Sequence, residues 1–157
     1  MKERFREMIA EVERRYDALV NASPFKCVKA PISLARKPGI YLFSESGKPL
    51  YIGRTDDLRK RLANHRHRSH NTATFAFLLA RHETGKRAAA ASYQASGSRA
   101  DLFKNDPTFS VAFNRAIERI AEMDVRVVEE SDPVRQALLE IYAAFVTGAK
   151  YNDFENH

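Results

Sequence analysis

Two short runs rich in β-branched and aromatic residues, Ile40–Phe43 and Leu50–Ile52, flank Ser44-Glu45-Ser46-Gly47-Lys48-Pro49, a segment with turn chemistry. That pattern dictates a β-hairpin. It carries Gly39-Ile40-Tyr41 on its first arm and Tyr51-Ile52-Gly53 on its second. The loop decides what the two tyrosines can do together. Directly opposite tyrosines require an odd-length loop, for example one with a bulge that uses Gly47 at positive φ, whereas an even loop puts them on opposite faces. Gly47 suits several turns, so both registers stay open at this level.

Around the hairpin the chain reads as alternating helices and loops. Residues 2–20 place Phe5, Ile9, Val12, Tyr16 and Leu19 at spacings of three and four, the pattern of an amphipathic helix. Ala22 to Pro38 contains three prolines and reads as an irregular connector with a brief extended piece. After the hairpin, Thr55 or Asp56 can cap a helix running from Asp57 to Arg68, with Leu58 and Leu62 as its buried stripe. Thr74–Glu83 forms the next helix, through Phe75, Leu78 and Leu79, and Gly85 supplies its stop. Lys86 to Ser98 is rich in Ala, Ser and Gly and reads as a loop that closes over substrate. Phe109, Phe113, Ile117 and Ile120 define a helix with Pro107 in its first turn. Val125, Val127 and Val128 give a third strand. A last helix over Pro133–Val146 turns Leu138, Leu139, Tyr142 and Phe145 inward and ends at Gly148.

Charge narrows the partners. The formal net charge is +6, and between Arg54 and His70 stand Arg54, Arg59, Lys60, Arg61, Arg66 and Arg68 with His65, His67 and His70, against only Asp56 and Asp57. Such a stripe can neutralise phosphates and release their counterions, the main source of non-specific nucleic-acid affinity. Several other chemistries lack their residues. No GK[ST] phosphate loop or H-E-x-x-H motif is present, and the single cysteine, Cys27, reads as a small buried hydrophobe. His67, His70 and His82 sit in basic surroundings that repel a cation, and His157 reads as a tail residue. No apolar run reaches the roughly 18 residues of a spanning helix, and the N-terminus alternates charged and apolar residues. A cytoplasmic protein without a membrane segment is expected, in one domain of 157 residues.

Arg61 and His65 lie four residues apart and project from one helix face, beside the Leu58 and Leu62 stripe. At that seam they can aim a guanidinium and an imidazole at a phosphate held over the hairpin. With these residues in view the chain resembles the GIY-YIG nuclease superfamily. Gly39-Ile40-Tyr41 is followed after nine residues by Tyr51-Ile52-Gly53, with Arg61 eight and His65 twelve positions after Gly53. Glu140 within Leu138-Leu139-Glu140-Ile141, and Asn152 twelve residues on, are similar to the family's ending. The resemblance covers about residues 38–153.

The resemblance implies an α+β fold, with a small three-stranded antiparallel sheet at about 38–44, 49–54 and 124–129 flanked by helices. Residues 38–153 would be the catalytic module and residues 1–37 an N-terminal helical extension and connector. It implies a metal-dependent endonuclease that hydrolyses phosphodiester bonds in DNA. Tyr41, Tyr51, Arg61, His65, Glu140 and Asn152 would form its centre. Tyr41 is the candidate general base, although a free phenol has a pKa near 10 and needs Arg61, His65 or the metal to favour the phenolate. Tyr51 would position phosphate or water, with the two tyrosines open to exchange. Glu140 would be the one protein ligand of Mg²⁺, or of Mn²⁺, completed by waters and phosphate oxygens. Asn152 would orient the site through its amide. Lys48, Arg54, Arg59, Lys60, Arg66 and Arg68 would contact the nucleic-acid backbone, which fixes register without reading bases. No partner protein is implied. Two alternatives stand beside this reading: a non-catalytic nucleic-acid-binding module of the same fold, and an RNA or structure-selective nuclease.

Overall fold

The computed structural model describes residues 2–69, 72–86 and 99–154. The expected closing loop therefore lies almost wholly outside the described residues, as do His70 and His157. The chain divides into two compact units, Met1–Leu62 with Met123–His157, and Ala63–Glu122.

The first unit is an α+β layer built on an antiparallel sheet. Its helix α1 covers Lys2–Asn21, and the strands are β1 Phe25–Lys26, β2 Gly39–Glu45, β3 Lys48–Thr55 and β4 Asp124–Glu129. The order across the sheet is β1-β4-β2-β3. The expected three strands are thus corrected to four. The additional one is two residues long and pairs Phe25 with Val125 and Lys26 with Asp124. So short a strand has no alternation to betray it, and only its partner β4 makes it a strand.

The hairpin settles the register. β2 ends at Glu45 and β3 begins at Lys48, so the turn is Ser46-Gly47 alone, with φ of 51° and 76°. Two successive positive φ values match the right-handed twist of the arms. This even turn would put the tyrosines on opposite faces, but β3 carries a bulge. Phe43 pairs with Tyr51 while Ser44 pairs with Pro49, which leaves Leu50 as the extra residue. Without it Tyr51 would stand opposite Leu42. With it, Tyr41 faces Gly53, Tyr51 faces Phe43, and both tyrosines lie on one face as diagonal rather than direct neighbours.

The other face is the main core. Ile40, Leu42, Ile52 and Val128 pack with Val12 and Leu19 of α1 and with Leu139, Ala143 and Ala144 of helix α6, Pro133–Thr147. Tyr16 meets Tyr142 edge-on, with ring centroids 5.3 Å apart. Val12, Leu19 and Tyr16 thus bring the N-terminal helix into this core. The inward reading of α6 is corrected at one position, because Phe145 is 85% exposed. It lies on the outer side of the stripe formed by Leu138 and Tyr142, where period alone does not separate core from surface.

A buried ion cluster ties the helices to the sheet ends. Glu130 is 2% exposed. Its carboxylate accepts from Arg135 Nε and Nη2, both at 3.0 Å, and from the Asp132 N–H at 2.8 Å. Arg15 of α1 stands 3.5 Å from the same group. Asp132 caps α6 by accepting from Arg135 N, with Pro133 in the first turn. Gln136 donates to the Glu130 carbonyl at 2.5 Å and to the Thr55 carbonyl at 3.4 Å, linking α6 to the end of β3.

The second unit is helical among its described residues. It contains α3 Thr74–Thr84, α4 Arg99–Asn105 and α5 Pro107–Ala121. Gly85 ends α3 with φ 69°, and Asp106 caps α5. Phe77, Phe109 and Phe113 form its aromatic core, with Phe77 and Phe109 centroids 4.8 Å apart.

Candidate active site

Helix α2, Leu58–His65, is shorter than expected and is capped by neither Thr55 nor Asp56. The Asp57 carboxylate accepts from Lys60 N at 3.0 Å, while Thr55 Oγ1 accepts from Asp57 N at 3.1 Å. The hydroxyl therefore shapes the turn before the helix, and the carboxylate closes its first turn. Leu58 and Leu62 are fully buried, which orients Arg61 toward the tyrosine face of the hairpin.

Tyr41 is the centre of this face. It is 1% exposed, and its hydroxyl accepts from Arg61 Nε at 3.2 Å. Its ring lies 6.4 Å from that of Tyr51 and meets Phe43 edge-on at 5.8 Å. Both motif glycines have steric reasons. A β-carbon on Gly53 would fall 2.1 Å from the Tyr41 hydroxyl oxygen, and one on Gly39 would fall 2.2 Å from the Val128 carbonyl oxygen. The glycine of the second tripeptide is thus the floor beneath the tyrosine of the first.

The electrostatics correct one expectation. Burial pushes the Tyr41 phenol well above its ordinary range, and the Tyr51 phenol opposes its ionisation further; Arg61 pulls down without prevailing. Burial raises Tyr51 as well, against the pull of Arg61 and of the Tyr41 hydroxyl. Arg61 alone therefore does not create a phenolate, because desolvation outweighs a single half-buried cation. Desolvation also works against the charge on Arg61, but the two phenol oxygens outweigh it and hold the guanidinium protonated.

Glu140 projects from α6 one turn after Gln136. Its carboxylate pairs with Arg54 Nε at 3.0 Å, with side-chain exposures of 26% for Glu140 and 49% for Arg54. Burial lifts the Glu140 pKa, and Arg54 offsets part of that rise. Its charge also opposes ionisation of Tyr41 and Tyr51. Among the described residues no group of three or more His, Cys, Asp or Glu side chains can hold a metal ion. A divalent cation here would have Glu140 as its protein ligand, with its other positions left for water and phosphate oxygens. A half-buried carboxylate supplies the oxygen donor that a hard cation of that kind takes, once Arg54 is not on it.

The other expected residues are distributed differently. Asn152 directs its amide at the backbone of β3: Oδ1 accepts from Ile52 N and Nδ2 donates to Ile52 O, each at 2.8 Å. Tyr151 N donates to the Leu50 carbonyl at 2.9 Å. These contacts cover the edge strand beside Tyr51, so Asn152 holds the site's frame. His65 is described with the second unit, where it is fully buried with its ring edge-on to Phe75 at 6.4 Å. Lys48, Arg59, Lys60 and Arg68 are exposed, Arg66 is half-buried, and Arg68 pairs with Glu118 at 3.3 Å. Sequence reasoning missed the Arg54–Glu140 pair, the Glu130–Arg135 cluster and the Gln136 bridge. Only the Asp132-Pro133 capping signature hinted at how α6 begins.

The model of the GIY-YIG catalytic domain matches residues 37–101. No curated protein matches the chain. Among solved structures the chain is similar to the GIY-YIG N-terminal endonuclease domain of UvrC from Thermotoga maritima, a point mutant bound to its catalytic divalent cation. The identity is 16%, the match covers 91% of this chain and 96% of that one, and the TM-score is 0.38. The GIY-YIG family model thus matches the stretch that holds Gly39-Ile40-Tyr41, Tyr51-Ile52-Gly53, Arg61 and His65.

Proposed function

We propose that this protein is a metal-dependent endonuclease that hydrolyses phosphodiester bonds in DNA, with residues 38–153 acting as one catalytic module. The observation that carries the reading is the hydrogen bond from Arg61 Nε to the Tyr41 hydroxyl, at 3.2 Å, over a hairpin whose second tyrosine shares the same face. A half-buried carboxylate that opposes ionisation of both phenols completes the group. The Arg61 guanidinium also acts on the Tyr51 hydroxyl, and its planar fork suits a non-bridging phosphate oxygen brought over the two phenols. Tyr51, less buried than Tyr41, donates to the phosphate or to the attacking water. Tyr41 would serve as the general base in its phenolate form, its own proton released to solvent as the bound ion and Arg61 together favour the anion. Glu140 would hold Mg²⁺ or Mn²⁺; when bound, the ion supplies positive charge that stabilises the departing 3′ oxygen and favours ionisation of the nearby phenols. Lys48, Arg54, Arg59, Lys60, Arg66 and Arg68 would follow the DNA backbone, His65 would support α2, and a cytoplasmic location is proposed with them. No described helix is long and apolar enough to cross a membrane.

The experiment is to incubate the purified chain with single-stranded, duplex and branched DNA and with RNA, in Mg²⁺ or EDTA, beside Arg61→Ala and Glu140→Ala. Metal-dependent DNA cleavage that drops by about 10²–10³-fold in each variant is expected. Cleavage that persists in both sinks the site assignment, and binding without metal-dependent cleavage selects the non-catalytic module instead.

A further inference from the structure

The ion pair between Arg54 and Glu140 joins the two groups that the proposed reaction needs apart. Arg54 follows Gly53 on the edge strand β3, and Glu140 comes from α6. Their heavy atoms are 3.0 Å apart, and the carboxylate is the more buried partner, at 26% exposure against 49% for the guanidinium. A half-buried carboxylate needs a cation, and among the described residues Arg54 is the one paired with it. A divalent ion seeking the same carboxylate meets a guanidinium already on it, and two cations on one carboxylate repel strongly where water is partly excluded.

We infer that Arg54 is a displaceable placeholder for the divalent cation: it occupies the Glu140 carboxylate in the metal-free protein, yields to the ion, and turns its freed guanidinium to the substrate phosphate. The inference rests on the proposed role of Glu140 as the metal ligand. Its chemistry is specific to the pair. The guanidinium holds the carboxylate through its Nε–H until a stronger cation arrives. Once displaced, it stands at the edge of β3 with its donors free, and the anion best placed to reconcile it with the nearby ion is a phosphodiester. Metal and DNA binding are then coupled. The ion binds weakly to the free protein and more tightly when DNA accepts Arg54, and reciprocity requires the metal to tighten DNA binding by the same factor. Replacing Arg54 removes the competitor and the phosphate contact together, which separates this role from that of an ordinary surface charge.

The test is direct titration of Mn²⁺ into the free protein, read by electron paramagnetic resonance of unbound Mn²⁺, for wild type, Arg54→Gln, Arg54→Lys and Glu140→Gln. Arg54→Gln is expected to bind Mn²⁺ roughly tenfold more tightly than wild type, and Arg54→Lys to stay near wild type. Arg54→Gln should also lose most of the metal-dependent gain in affinity for a non-cleavable DNA. If Glu140→Gln abolishes Mn²⁺ binding while Arg54→Gln binds no more tightly than wild type, the placeholder role is overturned and the metal ligand stands. If Glu140→Gln binds as well as wild type, the metal reading of Glu140 falls and the inference with it. A measurement on unaltered protein guards against a folding defect in the variants. The Arg54 Nε–H resonance should move from its ion-paired position as Mg²⁺ is added, and a resonance that stays fixed while Mg²⁺ binds at Glu140 overturns the inference.

Discussion

The Tyr41 hydroxyl lies where a side chain on Gly53 would begin, 2.1 Å from the position of its β-carbon. The two residues face one another across β2 and β3, so the aromatic ring crosses a strand that has no side chain at that point. This close approach sets the height of the phenol over the sheet and keeps its oxygen within reach of Arg61.

Gly53→Ala should therefore destabilise the fold by about 1–3 kcal/mol, the usual cost of overpacking. The ring carbon beside the hydroxyl would lie 2.3 Å from the new methyl, so Tyr41→Phe in the same chain gives little relief, whereas Tyr41→Ala restores part of the loss. Urea unfolding of the single and double variants checks this. Additive losses for Gly53→Ala and Tyr41→Ala would contradict the contact.

Arg61→Lys keeps the charge and removes the Nε–H that reaches Tyr41. Cleavage should fall by about 10²-fold with thermal stability nearly unchanged, because a lysine presents a point charge where a planar fork is needed. Single-turnover rates beside melting curves separate the two effects. Activity retained in full would mean that charge alone is required at this position.

The two phenols predict alkaline behaviour. Both titrate above the ordinary value of 10.0 in the folded chain, chiefly because they are buried. The unfolded chain releases these protons first and so binds fewer of them than the native state above that pH. Stability is accordingly intact below about pH 10 and falls as pH rises beyond it. Urea midpoints measured from about pH 8 to about pH 11 should show the decline, and a Tyr41→Phe/Tyr51→Phe variant should show a shallower one. A midpoint that rises over this window contradicts the burial of the phenols.

Asn152→Ala removes both hydrogen bonds to Ile52 and leaves the edge of β3 short of a donor and an acceptor. A loss of about 1–3 kcal/mol is expected. Hydrogen exchange at the Ile52 amide should accelerate well beyond that of amides inside the sheet. Exchange unchanged at Ile52 would show that the amide is not held by Asn152.

Arg135→Ala should cost about 3 kcal/mol, because it strips the bidentate partner from a carboxylate whose side chain is 1% exposed. Arg15, at 3.5 Å, retains part of the compensation. Arg135→Ala/Glu130→Leu should recover stability relative to Arg135→Ala, and thermal unfolding of the pair decides it.

Much of the fold was legible because it is local. The β-branched runs about Gly47 define a hairpin, and Pro107, Gly85, Pro133 and Gly148 mark helix ends through backbone rules that act within a few residues. Elements that exist only through distant partners were not legible. The strand Phe25–Lys26 needs β4, and the exposure of Phe145 depends on which side of α6 meets α1. The cap of α2 shifted to Asp57 because Thr55 is occupied by the turn before it.

For the site, the sequence by itself determined the residue types and their order: two tyrosines on a hairpin, an arginine one helix later, a glutamate on a late helix and the match over residues 37–101. Only the tertiary structure decided how they act on one another. The bulge at Leu50 put the tyrosines on one face, Gly53 let Tyr41 settle against the sheet, and Arg54 took the carboxylate of Glu140. The physical reason is common to all three. Face, contact and charge pairing are set by distances between atoms remote in sequence, and burial then made ionisation harder still for phenols that already needed help to lose a proton.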